Sequence, residues 1–95
     1  MAAYVLAQIN VTDPERYEGY KRRAQIAVKR YGGRYVARGG ETVVFEGDWR
    51  PSRVVILEFP DLERSRAFYD SPEYGAARAR RSGAADVTMI AVAGV

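Results

Sequence analysis

Four groups of residues in this sequence carry side chains able to do chemistry. Glu58 lies in the most apolar stretch of the chain, Arg53 to Phe59. A carboxylate in such surroundings is costly unless paired, and burial raises its pKa toward that of a general acid or base working near neutral pH. The simpler reading is an ion pair to an arginine, including one reached across a subunit interface. Arg38-Gly39-Gly40 can form an anion-binding turn, with backbone N–H groups and a guanidinium meeting a carboxylate or phosphate, or a plain bulge with a surface arginine. It is not a P-loop, because no Gly-Lys-Ser/Thr ending follows and it joins strand to strand. Glu46-Gly47-Asp48-Trp49 places two carboxylates beside an indole, either at a pocket mouth with Trp49 as a lid or in a hairpin turn with Trp49 packed on the core or a partner. The chain has 7 tyrosines. Tyr17, Tyr20, Phe68, Tyr69 and Tyr74 are expected near a helix–sheet junction, where aromatic walls with polar tips suit a small organic ligand or serve ordinary packing. Glu58 and Tyr69 are the candidate catalytic groups.

Composition excludes more than it suggests. Cys and His are both absent. Disulfides, thiolate nucleophiles, Ser-His-Asp arrangements, His-ligated haem and Cys-based metal sites are therefore ruled out. No cofactor and no metal are expected; carboxylate-bound Mg²⁺ is the one credible exception, and Glu46/Asp48 lack the ligand density of a calcium loop. The 15 basic and 12 acidic residues leave a formal charge of +3, and only Lys21 and Lys29 among the bases are not arginine. Nucleic-acid binders gather such charge into a stripe. The best run here, Arg78, Arg80 and Arg81 with Arg64 and Arg66 upstream, reads as a solvated helix face, so no nucleic-acid partner is expected. The apolar runs are strand-sized, well short of a membrane span, and no targeting pattern precedes Val5; cytoplasmic residence is the expectation.

The positioning elements follow from periodicity. Ala3 to Val11 alternates as a strand. Asp13-Pro14-Glu15 is a helix start, and Tyr17, Tyr20, Ala24, Ala27, Val28 and Tyr31 recur at helical spacing until Gly32-Gly33. Arg34 to Arg38 is a second strand. Gly39-Gly40 then reads as a bulge or bend in one long strand, or as the break between two short strands, with strand character resuming over Glu41 to Glu46. Gly47 to Pro51 is a turn, and Arg53 to Phe59 a third strand. Asp61 caps a helix that breaks at Asp70 and restarts at Pro72, running to about Ser82. Ala85 to Val92 closes the chain. With 95 residues, there is room for one domain, residues 1–95. The order strand–helix–strand–strand–helix–strand is the ferredoxin-like α+β arrangement, with one antiparallel sheet carrying both helices on one face.

Pairing the first and third strands with Tyr4 opposite Glu58 sorts their side chains onto two faces. Val5, Ala7, Ile9, Val55, Leu57 and Phe59 go under the helices. Tyr4, Leu6, Gln8, Val54, Ile56 and Glu58 go to the other face, which is too apolar to stand in water. Arg53 is then expected near Ile9, anchoring an acidic ligand in a helix–sheet pocket rimmed by Tyr17 and Tyr69, with Arg38 as a further ligand-binding residue. Glu58 is expected apart from it, facing an arginine or tyrosine hydroxyl at a dimer interface.

Several runs resemble the bacterial domain-of-unknown-function family thirteen-thirty: Tyr4-Val5, Asp13-Pro14, Tyr31-Gly32-Gly33-Arg34-Tyr35, Arg38-Gly39-Gly40, Glu46-Gly47-Asp48-Trp49, Glu58-Phe59-Pro60 and Phe68-Tyr69-Asp70-Ser71-Pro72-Glu73-Tyr74. The resemblance implies a subunit of the dimeric α+β-barrel superfamily, in which two sheets face each other. Relatives in that superfamily include cofactor-independent monooxygenases, small-ring isomerases, haem enzymes and ligand-binding regulators. The family itself carries no agreed activity, and a shared fold does not transfer one. Two functions remain open: a noncatalytic binder of a small organic ligand, favoured by the absence of His and Cys, and a cofactor-independent monooxygenase- or isomerase-like enzyme. Either is expected as a homodimer burying roughly 1,200–2,000 Å² in total. Sedimentation at micromolar concentration is expected to give twice the chain mass; a 10.6 kDa species would leave the second apolar sheet face without a cover.

Overall fold

Each helix begins where a side chain replaces a missing backbone partner. The computed structural model describes residues 1–95. After strand β1 (Ala3–Val11), the Asp13 carboxylate accepts the Arg16 N–H at 3.3 Å and opens helix α1 (Pro14–Arg30). Gly32, at φ +80°, turns the chain into β2 (Arg34–Arg38). Beyond β3 (Val54–Phe59), Asp61 accepts from Arg64 N–H at 2.7 Å to start α2 (Leu62–Asp70). Ser71 does two jobs. Its hydroxyl donates to the Phe68 carbonyl at 2.7 Å and accepts from Tyr74 N–H at 3.0 Å, ending α2 and capping α3 (Pro72–Arg81). This is the physical content of the break expected between Asp70 and Pro72. β4 (Ala85–Ala93) completes the chain.

The strands form one antiparallel sheet ordered β2-β3-β1-β4. Tyr4 stands opposite Glu58, as the pairing argument required. The inner face carries Val5, Ala7, Ile9, Val55, Leu57 and Phe59, all buried against Tyr17, Tyr20, Ala24, Ala27, Val28, Phe68, Tyr74 and Ala77 from the helices. The outer face has no helix over it. The architecture is the ferredoxin-like α+β arrangement, with its second helix divided into α2 and α3.

Three local expectations are corrected. Glu41 to Glu46 is not a strand: an irregular segment runs from Gly40 to Arg53. Gly39, at φ +70°, donates its N–H to the Val54 carbonyl at 2.9 Å. This is the last β2–β3 contact, and β3 begins at Val54, so residues 41–46 have no strand opposite them. Their β-branched composition supplies propensity but no ladder partner. The bulge lies not at Gly39-Gly40 but between Tyr35 and Ala37. Glu46-Gly47-Asp48 is a bend within this segment rather than a hairpin turn. Trp49 reaches the outer sheet face, donating Nε1–H to Gln8 Oε1 at 2.5 Å while 60% exposed.

Gly33 shows how tightly the inner layer is filled. A Cβ there would sit 2.6 Å from Cε1 of Phe59, whose ring is 1% exposed and has nowhere to go. Gly33→Ala is expected to destabilise the fold by about 1–3 kcal/mol through overpacking, read as a lowered urea midpoint at unchanged slope. An unchanged midpoint would show that the Phe59 ring can yield.

Candidate functional site

The outer face resolves the role of Glu58. Its carboxylate accepts from Arg34 Nε at 2.5 Å and from the Tyr4 hydroxyl at 3.2 Å, with the Glu58 side chain 23% exposed. The hydrogen bond from Arg34 outweighs desolvation and, with Tyr4, holds the carboxyl below its ordinary range. The arginine and tyrosine hydroxyl expected beside Glu58 are thus present, but within the subunit rather than at a dimer interface, because Arg34 is its register partner on β2. Glu58 is an ionised structural pair and holds no proton to give near neutral pH.

The inner face brings Tyr17, Arg38 and Arg53 together. They line one cavity between α1 and the sheet, with Lys21, Tyr20, Tyr35 and Tyr74. Arg53 lies beside Ile9, as expected: its carbonyl accepts the Ile9 N–H at 2.9 Å. The guanidinium of Arg38 stacks 4.4 Å over the Tyr35 ring and donates to the side-chain oxygen of Gln25. Burial pushes the Tyr35 hydroxyl up, so it stays neutral. The free volume is about 30 Å³, room for roughly one water molecule.

Tyr69 is not part of that cavity. It lines a larger cleft of about 410 Å³ between β4 and α2–α3. Val5, Phe68, Val87 and Met89 make its apolar floor, while Ser65, Arg66, Asp70 and Arg81 supply polar groups. The sequence-based expectation sets Tyr17 and Tyr69 around one pocket. The two cavities instead meet at a shared wall of Val5, Phe68 and Met89. Arg78 stacks 4.4 Å over Tyr69, and Arg81 lies 5.3 Å over Tyr20 and 6.0 Å over Tyr74. Beneath them the buried hydroxyls of Tyr20 and Tyr74 share one hydrogen bond of 2.7 Å. Desolvation raises both above the ordinary tyrosine range, so both stay protonated.

Arg81 and Ser65 line this cleft and are not among the candidate residues read from the sequence. For Arg81 the signal is one of phase: Tyr74, Ala77, Arg78 and Arg81 fall at i, i+3, i+4 and i+7, one face of a helix, and Tyr74 and Ala77 are buried. Nowhere do three or more acidic side chains gather as metal ligands, and no helix is long and apolar enough to cross a membrane.

A pH dependence follows from Glu58. Its folded-state pKa lies below the ordinary 4.5. The stabilisation is therefore complete above that pH and is lost as pH falls through the lower folded value. Glu58→Gln is expected to be less stable than the parent at neutral pH, with the gap closing in acid, as read by urea midpoints across a pH series. A gap independent of pH would separate Glu58 from its charge.

Comparison with known proteins places these features. No curated protein matches the sequence. Among solved structures, a protein of unknown function from Rhodopseudomonas palustris superposes with a TM-score of 0.77 at 22% identity, covering 99% of this chain and 82% of that one. SnoaB, a cofactor-independent oxygenase from Streptomyces nogalater, superposes with a TM-score of 0.70 at 17% identity, covering 99% and 93%. A dimeric ferredoxin-like protein of unknown function from Thermobifida fusca gives 0.68 at 19% identity, covering 99% and 92%. At these identities the likeness is one of fold. The sequence profile of the domain of unknown function DUF1330 matches residues 2–95, and the chain belongs to that family.

Proposed function

We propose that this protein is a homodimer that binds a small organic molecule, without transforming it, in the cleft between β4 and α2–α3. The observation that carries this reading is the cleft itself. Its volume of about 410 Å³ lies in the range of small-molecule sites, and an apolar floor beneath a few polar groups is the usual build of such sites. Arg66 and Arg81 against the single Asp70 favour a ligand with an acidic group. The ionisable groups nearby support binding over catalysis. Glu58 is occupied by Arg34 on the opposite face, and Tyr20 and Tyr74 are held protonated.

The dimer reading rests on the outer face. Ile90 and Val92 are 60% and 48% exposed there, beside Leu6, Val54 and Ile56. Phe45, 91% exposed, extends the same apolar surface. The similar Thermobifida fusca protein is described as dimeric, which supports a second copy as the cover.

A second reading is cofactor-independent oxygenation, favoured by the likeness to SnoaB. The organic substrate would then itself be the reductant for dioxygen, and Tyr69 would be the hydroxyl at hand. One experiment separates the two. A thermal-shift screen of aromatic carboxylic acids, matched with their neutral amides, is expected to find acids that raise the melting temperature saturably. Arg81→Gln or Arg66→Gln is expected to weaken that binding by about 10-fold, the scale of one charge-assisted hydrogen bond. Oxygen-electrode traces with the same ligands are expected to stay flat. Ligand-dependent oxygen uptake abolished by Tyr69→Phe would establish the enzymatic reading instead.

A further inference from the structure

We infer that the small cavity between α1 and the β2–β3 side of the sheet is a receptor for the carboxylate group of a small acid, held by Arg53, Arg38 and Lys21. This cavity is separate from the β4 cleft, and the inference does not depend on what that cleft binds. Charge is the first argument. Arg53, Arg38 and Lys21 are the only charged residues in the lining, and no carboxylate faces them inside it. Glu18 pairs with Lys21 at 2.7 Å and lies within Coulombic reach of Arg38 at the helix surface, so Arg53 is the cation in the lining without an acidic neighbour. Like charges gathered at an apolar wall repel unless an anion lies between them.

The second argument is that the Arg53 guanidinium is held in place. Arg53 Nε is buried and makes no hydrogen bond. Its guanidinium lies against Gly39, where a Cβ would collide with it. The positive φ of Gly39 thus serves both the end of β2 and the seat of Arg53. Arg38, exposed at the mouth, stacks on Tyr35 and meets the Gln25 side-chain amide. A fixed planar fork is the group best suited to grip two carboxylate oxygens. Size is the third argument. About 30 Å³ of free volume admits one oxygen-sized group, so one carboxylate oxygen enters beside Arg53 while the rest of the acid stays at the mouth, where Arg38 is exposed. The apolar remainder of the lining, including Ala24, Val55 and Leu57, excludes water and strengthens the charge interaction.

Sodium formate and sodium acetate, titrated at constant ionic strength set by sodium chloride, provide the test, with the arginine Nε–H resonances followed by NMR. The Arg53 resonance is expected to shift saturably. Arg53→Gln and Arg38→Gln are each expected to weaken formate binding by about 10-fold or more. Gly39→Ala is expected to do the same without removing a charge, because it unseats Arg53. Should Arg53→Gln fail to fold, Arg38→Gln carries the test, since its side chain is exposed. A linear, non-saturating response, or an equal response to chloride alone, would overturn the inference. So would loss of formate binding in Arg81→Gln with retention in Arg53→Gln, which would move the anion to the β4 cleft and leave the proposed function standing.

Discussion

A column of stacked aromatic rings holds the three helices to one sheet and sets the place of everything else. Phe59 of β3 meets Phe68 of α2 at 5.0 Å, Phe68 meets Tyr74 of α3 at 4.4 Å, Tyr74 meets Tyr20 of α1 at 6.1 Å, and Tyr20 meets Tyr17 at 5.2 Å. Each contact adds about 0.5–1.5 kcal/mol beyond the burial of the rings. At the centre of the column the Tyr20 and Tyr74 hydroxyls satisfy each other, so two polar groups are buried without stranding either. The column also partitions the space beneath the helices. Phe68 belongs to the wall between the two cavities, so the same ring that ties α2 to the sheet keeps the cationic cavity apart from the open cleft.

The outer face follows from the same one-sidedness. Three helices on one side leave the other side of the sheet to the segment between β2 and β3. That segment brings Val43, Val44, Phe45 and Trp49 over Leu6, Val54 and Ile56 without burying them. Its residues have the composition of a strand and none of the hydrogen bonds. The polar residues of the face are tied to one another, Glu58 to Arg34 and Tyr4, and Gln8 to Trp49. Glu58 therefore needs no external partner, and the apolar residues of this face are what water meets.

Arginine does nearly all the cationic work, and its geometry suits what it does. Arg38, Arg78 and Arg81 lie over tyrosine rings, and Arg34 reaches a carboxylate. A flat, weakly hydrated guanidinium can stack and donate at once, which a lysine cannot. The positive excess that looked like a diffuse surface property is thus partly structural, with several of its charges set against aromatic walls.

Local sequence is enough for the element order, the caps at Asp13 and Asp61, the break before Pro72, and the face on which each residue of β1 and β3 lies. These are local properties: capping geometry acts over three residues, and strand alternation has a period of two, so one assumed pair, Tyr4 with Glu58, orders both faces. Tertiary structure alone decided which ionisable groups meet. Glu58 called for an arginine or a tyrosine hydroxyl at a dimer interface, but β2 runs beside β3 and sets Arg34 against it within the subunit. Tyr17 and Tyr69 looked like two rims of one pocket, but Phe68 and Met89 stand between the cavities they line. Glu41 to Glu46 had the makings of a strand, but a strand needs a partner, and the chain places none opposite it. Pairings between residues far apart in sequence depend on how packed layers come into register, and no local periodicity encodes that.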